Sequence, residues 1–288
     1  MTNTVFVTGA TGNIGSLVVD GLLEKGVDVR ALVHSEEKAQ ALRDRGADVI
    51  VGEFTDESAL ARGVDGADKV FSLTPPNPDQ VAQANAITAA ASASSSRPHV
   101  VRLSVIKSNK SAPTRVSAQH GEIDAVLKES GLPVTFLKPH FIMQNTLFGG
   151  ESVGDHGSIY HSMGEGKLGM IDVRDVADVA VEVLTGDGHE GKSYTLTGPE
   201  SISFAQQGVQ LGSALGKDVN VVGVSVDQAK SSMAEMGMPE WLIEGFAEYL
   251  VAYSNNYGDF FTDDVQNITG KTARSYKEFA TDFAPAFG

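Results

Sequence analysis

Short apolar runs alternate with stretches of helical periodicity from the start of the chain. Thr4 to Thr8 reads as a buried strand. Ile14, Leu17, Val18, Gly21 and Leu22 then recur at helical spacing up to a stop at Gly26. The same rhythm predicts strands over Asp28 to Val33, Ala47 to Val51, Lys69 to Leu73, His99 to Leu103 and Val134 to Leu137. Between them it predicts helices over Glu36 to Arg45, Glu57 to Gly63, Asp79 to Ser94 and Val116 to Glu129. Strands that are apolar throughout are buried on both faces, so the pattern implies a parallel sheet covered by helices on both sides. The expectation is a Rossmann-type α/β fold, a doubly wound parallel sheet, over residues 1–150.

Over residues 151–288 the rhythm loosens. Helices are predicted near Val173 to Thr185, Ser203 to Leu215, Val226 to Met236 and Glu240 to Tyr253, with short strands near Tyr194 to Leu196 and Val219 to Val222. This reads as a smaller, mostly helical C-terminal lobe, some of whose segments pack back on the Rossmann core.

Composition narrows the function classes. A formal net charge of −15 disfavours a nucleic-acid partner, because a polyanion is repelled by most of such a surface. The absence of cysteine removes disulfides, thiol chemistry and Cys-ligated zinc. The seven histidines show no metal-ligand spacing, so no metal is expected. No stretch is apolar enough to span a membrane, and Met1 to Val7 lacks the basic and apolar regions of a secretory signal. A cytoplasmic protein is the expectation.

The chemistry begins at Thr8-Gly9-Ala10-Thr11-Gly12-Asn13-Ile14-Gly15, between the first strand and the first helix. Gly9 suits a sharp turn, Gly12 a close backbone approach to a pyrophosphate, and Gly15 tight packing of helix on strand. The helix N-terminus offers free N–H groups and a positive dipole end to the phosphates. Gly9, Thr11, Gly12, Asn13, Ile14 and Gly15 are therefore candidate dinucleotide-binding residues.

The end of the second strand discriminates between cofactors. NAD-binding chains carry an acidic residue there for the ribose hydroxyls. Here His34, Ser35 and Lys38 stand instead, with Arg30 nearby, and they favour a 2′-phosphate; Glu36 and Glu37 oppose it. NADP(H) is expected over NAD(H). Glu53 and Phe54 after the third strand are candidates for the adenine end, and Thr74 and Pro75 after the fourth for the nicotinamide half.

Several segments together resemble the NmrA-like, atypical short-chain dehydrogenase/reductase family, and within it the type 2 NAD(P)H:quinone oxidoreductases and triphenylmethane reductases. They are the glycine turn, Val29 to Val33, Gly52 to Leu60, Gly131 to Pro139 running on through Phe141 to Asn145, Ile171 to Ala177, and His189 to Pro199. The resemblance implies a monomeric or homodimeric NADP(H)-binding reductase. It also implies that the loop carrying Pro139, Phe141 and Gln144 closes over the nicotinamide half. Relatives often have Arg where His34 stands, and usually Arg and Asp where Lys138 and Glu53 stand.

The Tyr-x-x-x-Lys pair of short-chain dehydrogenases is missing, since all six tyrosines lie from Tyr160 onward. Two candidates take its place. Val116, His120, Ile123 and Leu127 share one helical face, which turns His120 inward as a candidate proton donor, and Ser104 ends the fifth strand where it can bond a substrate oxygen. Hydride addition to an electron-poor ring leaves a stabilised anion and asks little acid catalysis, so quinones and other aromatic or conjugated small molecules are the expected substrates. A non-catalytic dinucleotide sensor acting through protein partners is the alternative. Asp172 and Asp175 read as N-terminal capping and dipole residues of a helix. Met233, Met236, Met238, Trp241, Leu242, Phe246, Tyr249 and Leu250 form an apolar cluster, either a lid over substrate or lobe core.

Overall fold

The computed structural model describes residues 3–287, so residues 1, 2 and 288, the outer ends of the two expected regions, lie outside it. The strands are β1 (Thr4–Val7), β2 (Asp28–Val33), β3 (Asp48–Val51), β4 (Lys69–Ser72), β5 (His99–Leu103), β6 (Val134–Pro139), β7 (Ser158–His161), β8 (Lys167–Leu168), β9 (Ser193–Leu196), β10 (Ile202–Ser203) and β11 (Asn220–Gly223). The helices are α1 (Asn13–Glu24), α2 (Glu36–Asp44), α3 (Glu57–Val64), α4 (Gln80–Ala93), α5 (Arg115–Glu129), α6 (Gly150–His156), α7 (Val173–Thr185), α8 (Phe204–Leu215), α9 (Val226–Glu235), α10 (Glu240–Ser254), α11 (Asp264–Thr269) and α12 (Tyr276–Asp282).

Seven strands form one sheet in the order β3-β2-β1-β4-β5-β6-β9. Every pairing from β1 through β6 is parallel. The order reverses between β1 and β4, the switch point of a Rossmann fold. The apolar strands do what their composition predicts: β1, β4 and β5 are buried almost throughout. Phe6, Leu32, Ile50, Leu60, Ile87 and Leu127 anchor a core cluster that joins this sheet to its helices.

The chain divides into two compact units. The first comprises the described residues up to 112, with 116–138 and 176–195, and the second residues 113–115, 139–175 and those described from 196 on. Where a boundary was expected at 150, with some later segments packing back on the core, this division falls after 138 and assigns residues 176–195 to the sheet unit. The chain leaves the sheet unit at the end of β6 and returns for most of α7 and β9, because β9 takes the free edge beside β6. In the second unit, β7 pairs with β11 in parallel and β8 with β10 antiparallel. Among the described residues no helix is long and apolar enough to cross a membrane.

A buried histidine gives the first unit a pH dependence. His99 opens β5 and its Nε2 lies 2.9 Å from the hydroxyl of Thr135, which itself donates to the carbonyl of His189. Nε2 therefore carries the proton and donates. Burial, reinforced by the charge of Lys69, lowers the His99 pKa from 6.5 to about 4. Between those values the unfolded chain binds the proton and the folded chain does not. Stability is complete above 6.5 and falls as pH drops toward 4, by roughly 3 kcal/mol in all. Urea unfolding at a series of pH values should show this decline, and His99→Asn should flatten it. An equal slope in the variant would place the acid sensitivity elsewhere.

Candidate active site

The glycine turn is a rigid junction in the first unit. Gly9 has φ +68°, a conformation that glycine adopts without strain. A Cβ on Gly15 would stand 2.1 Å from the Gly9 carbonyl oxygen, so only glycine lets α1 pack this closely. Gly12 differs: a Cβ there would meet only the Gly9 oxygen, at an ordinary 3.5 Å, which leaves its outer side open. Thr8 pins the turn at the switch point. Its buried hydroxyl donates to the Leu73 carbonyl (2.9 Å) and accepts from the Leu73 N–H (3.0 Å). Gly12 is the N-cap residue of α1, and no side chain caps the helix. First-turn amides left without such a cap are available to an anion. Thr11 and Asn13 are exposed beside them, while Ile14 is half-buried.

At the end of β2, His34 and Lys38 are exposed and Ser35 is half-buried at the start of α2, where its side chain makes no capping bond. Glu36, which opposes a phosphate, is held by Arg43 of its own helix. Arg30 has another task. Its guanidinium donates to the carbonyls of Arg62, Gly63 and Asp65 at the end of α3, which commits it away from a 2′-phosphate. Glu53 is exposed, whereas Phe54 packs partly buried on the core cluster.

Two buried polar networks follow, both in the first unit. In one, Arg102, fully buried in β5, donates to the Ser72 carbonyl (3.1 Å) and the Thr74 hydroxyl (3.2 Å). Gln80 donates to the Thr74 carbonyl at 3.1 Å. His120 stands between them, with Nδ1 3.4 Å from Arg102 and Nε2 3.2 Å from Gln80. The network fixes the residues after β4, including buried Thr74, while Pro75 is exposed. Burial, then the charges of Arg102 and Lys138, push the His120 pKa well below its usual value. The ring is neutral at physiological pH, so any proton it contributes is the single N–H of neutral imidazole.

In the other network Asp124 accepts from the hydroxyls of Ser104 (2.8 Å) and Ser108 (2.7 Å) and lies 3.5 Å from the Lys138 ammonium. His120 and Asp124 are one helical turn apart, in the H-x-x-x-D spacing. Sequence reading missed Arg102, Gln80 and Asp124. Two signals pointed to them: an arginine inside an otherwise apolar strand, and an acid one turn beyond His120.

The second unit holds the remaining candidates. Pro139 ends β6, buried. Gln144 is turned to structure: its amide donates to Asp172 (2.9 Å) and accepts from the Val173 N–H (3.1 Å), so both ends are engaged at the start of α7. Asp172 is paired with Arg174, and Asp175 with Arg274, which makes both carboxylates structural ion-pair partners. Phe141 contacts the Tyr253 ring edge-on and lines a cavity of about 1050 Å³. Met233, Met236, Met238, Phe246 and Leu250 line the same cavity, whereas Trp241, Leu242 and Tyr249 do not. Within it His161 stacks on Phe204, centroids 4.4 Å apart. The His161 Nδ1 accepts from the Met163 N–H, which leaves the proton on Nε2. Ser104 and His120 are buried in the first unit and are not part of this lining.

A parallel sheet of this strand order, with a glycine turn at its switch point, defines a dinucleotide-binding α/β protein of the Rossmann class. The family is more specific. The chain matches the NmrA-like family over residues 1–281 and belongs to it. It is 38% identical over 284 residues to an NAD(P)H azoreductase of Xenophilus azovorans, covering 99% of each chain. Its fold is similar to an NADPH-dependent quinone oxidoreductase of Escherichia coli in complex with NADPH, at TM-score 0.89 and 25% identity over 98% of this chain and 99% of that one. It is equally similar to a Citrobacter triphenylmethane reductase complexed with NADP(H), at TM-score 0.88 and 25% identity over 98% and 99% of the two chains.

Proposed function

We propose that the protein is an NAD(P)H-dependent oxidoreductase that delivers hydride to quinones or dye-like conjugated acceptors, with NADP(H) preferred. The observation that carries this reading is the uncapped N-terminus of α1 behind the Gly9–Gly15 junction, supported by family membership. The turn around Gly12 and the first amides of α1 hold the pyrophosphate, and His34, Ser35 and Lys38 take the 2′-phosphate. The dinucleotide, when bound, supplies the hydride.

The acceptor occupies the cavity of the second unit. Its size suits a polycyclic ligand, and its aromatic and methionine walls adapt to flat rings. His161 offers its Nε2–H to an acceptor oxygen or nitrogen. Neutral His120 belongs to the polar frame behind the residues after β4, and buried Ser104 donates a hydrogen bond to Asp124. Strong acid catalysis is unnecessary, because the reduced ring spreads its charge and takes its proton from solvent.

The test is NADPH oxidation followed by absorbance with a panel of quinones, azo dyes and ketones, beside NADPH and NADH titrations of the same sample. Turnover is expected with quinones or dyes and not with simple ketones. Tight NADPH binding without any turnover would favour the sensor reading. His34→Arg should raise the NADPH-over-NADH ratio about tenfold, because a guanidinium fork suits a phosphate. An unmoved ratio would take residue 34 away from the 2′ position.

A further inference from the structure

We infer that the cavity of the second unit selects by charge, taking cationic conjugated rings in preference to anionic ones of the same size. The inference rests on the reading that this cavity receives the acceptor. Its lining contains four carboxylates, Glu151, Asp155, Asp227 and Glu235, and no lysine or arginine. All four stand at exposed positions, so they act on a ligand as it enters and settles. Two nearby cations have other partners. Lys217 donates to the carbonyl of Val153, and Lys230, whose charge also acts on Asp227 one turn away, is paired with Glu244 on the side of a second, smaller cavity that Asp227 lines as well. The other titratable lining groups are His156, His161, Tyr160 and Tyr276. The His161 pKa is lowered by burial, so that ring adds no positive charge at neutral pH.

The walls favour the same ligand. Phe148, Phe204, Phe246 and Tyr160 are among its lining, and the negative quadrupole of an aromatic ring attracts a delocalised cation. Met233 and Met236 add polarisable sulfur. A sulfonate, carboxylate or phosphate on the acceptor meets no positive partner in this lining, and leaving a charge desolvated and unpaired is costly. The overall charge of −15 extends the bias to the approach of the ligand.

The experiment measures binding and turnover separately. Crystal violet, a cationic triarylmethane dye, and a sulfonated anionic triarylmethane dye are titrated against the full chain without NADPH, by dye absorbance. The cationic dye should bind about tenfold or more tightly at low ionic strength, and the gap should narrow several-fold at about 0.5 M salt, where the Debye length falls to a few ångströms. A variant carrying Glu151→Gln, Asp155→Asn, Asp227→Asn and Glu235→Gln should lose most of the preference. A control with the same net charge, carrying Glu24→Gln, Asp28→Asn, Glu57→Gln and Asp65→Asn in the first unit, should keep it.

Equal or tighter binding of the anionic dye overturns the inference, as does a preference that survives in the first variant or disappears equally in both. Failure of every acceptor to oxidise NADPH would instead count against the proposed activity, since the charge preference is read without cofactor.

Discussion

Gly15→Ala should weaken NADPH binding by roughly tenfold to a hundredfold and lower the melting temperature of the protein alone. The new Cβ would lie 2.1 Å from the Gly9 oxygen, 2.7 Å from its carbonyl carbon and 3.1 Å from the Ala10 Cα. All three are backbone atoms, so no side chain can turn aside. Gly9 cannot yield either: it is in the left-handed region, its oxygen accepts from the Gly12 N–H at 3.1 Å, and its own α-carbon faces Leu73. The helix must move off the turn. Overpacking of this kind costs about 1–3 kcal/mol of stability, and the helix amides it displaces lose contact with the pyrophosphate, where each 1.4 kcal/mol is a factor of ten in affinity. Gly12→Ala separates the structural part from the functional one. Its Cβ meets nothing closer than 3.5 Å, so the melting temperature should hold while NADPH affinity falls, because the methyl group occupies the approach of the pyrophosphate. Unchanged NADPH affinity in Gly12→Ala would mean that no phosphate sits at this turn.

Much of the first unit was legible in the sequence because its constraints are local. Six apolar runs separated by amphipathic stretches and glycine stops became six parallel strands, with ends within a residue or two of the pattern. A parallel strand buried on both faces has little choice of residue, and that restriction is the signal. The glycine turn was legible for a related reason. At Gly9 the left-handed φ and at Gly15 the Gly9 backbone leave no comfortable place for a side chain, and the sequence shows it.

Of the strands in the second unit the sequence showed β11, expected near Val219 to Val222, and hid the rest. β8 and β10 are two residues each, and β7 pairs with β11 across some sixty residues of chain, so no local periodicity marks those three. Gln144 and Phe54 show a second limit. Both lie where a cofactor contact was expected. Gln144 bonds to Asp172 and Val173, and Phe54 rests on the core. Which way a loop side chain turns depends on neighbours distant in sequence. The buried networks obey the same logic: Arg102 meets Thr74 and His120 only once β4, β5 and α5 are side by side.

The Asp124 network makes the largest stability prediction. Asp124 is 3% exposed and its Oδ2 is the common acceptor for Ser104, Ser108 and the Lys138 ammonium. Its charge also acts on Arg102, a fully buried guanidinium whose pKa burial has brought down to about 10. One carboxylate thus offsets two cations with little access to water. Asp124→Asn keeps the size and removes the charge. Stripping one partner from a buried pair costs about 3–5 kcal/mol, because the remaining charge stays desolvated without compensation. A chain of this size should then melt roughly 6–15 °C lower. The companion change Lys138→Met identifies the cause. Removing the stranded ammonium from Asp124→Asn should return at least 1 kcal/mol, so that the two substitutions together cost less than their sum. Strict additivity, or a loss below about 1 kcal/mol in Asp124→Asn alone, would mean that the pair is solvated in solution. The same variant leaves the Ser104 and Ser108 hydroxyls one uncharged amide oxygen to share, which loosens the hold on Ser104. If Ser104 bonds a substrate oxygen, kcat should then change at temperatures where the variant remains folded; if it only seals the frame behind β5, turnover per folded molecule should stay the same.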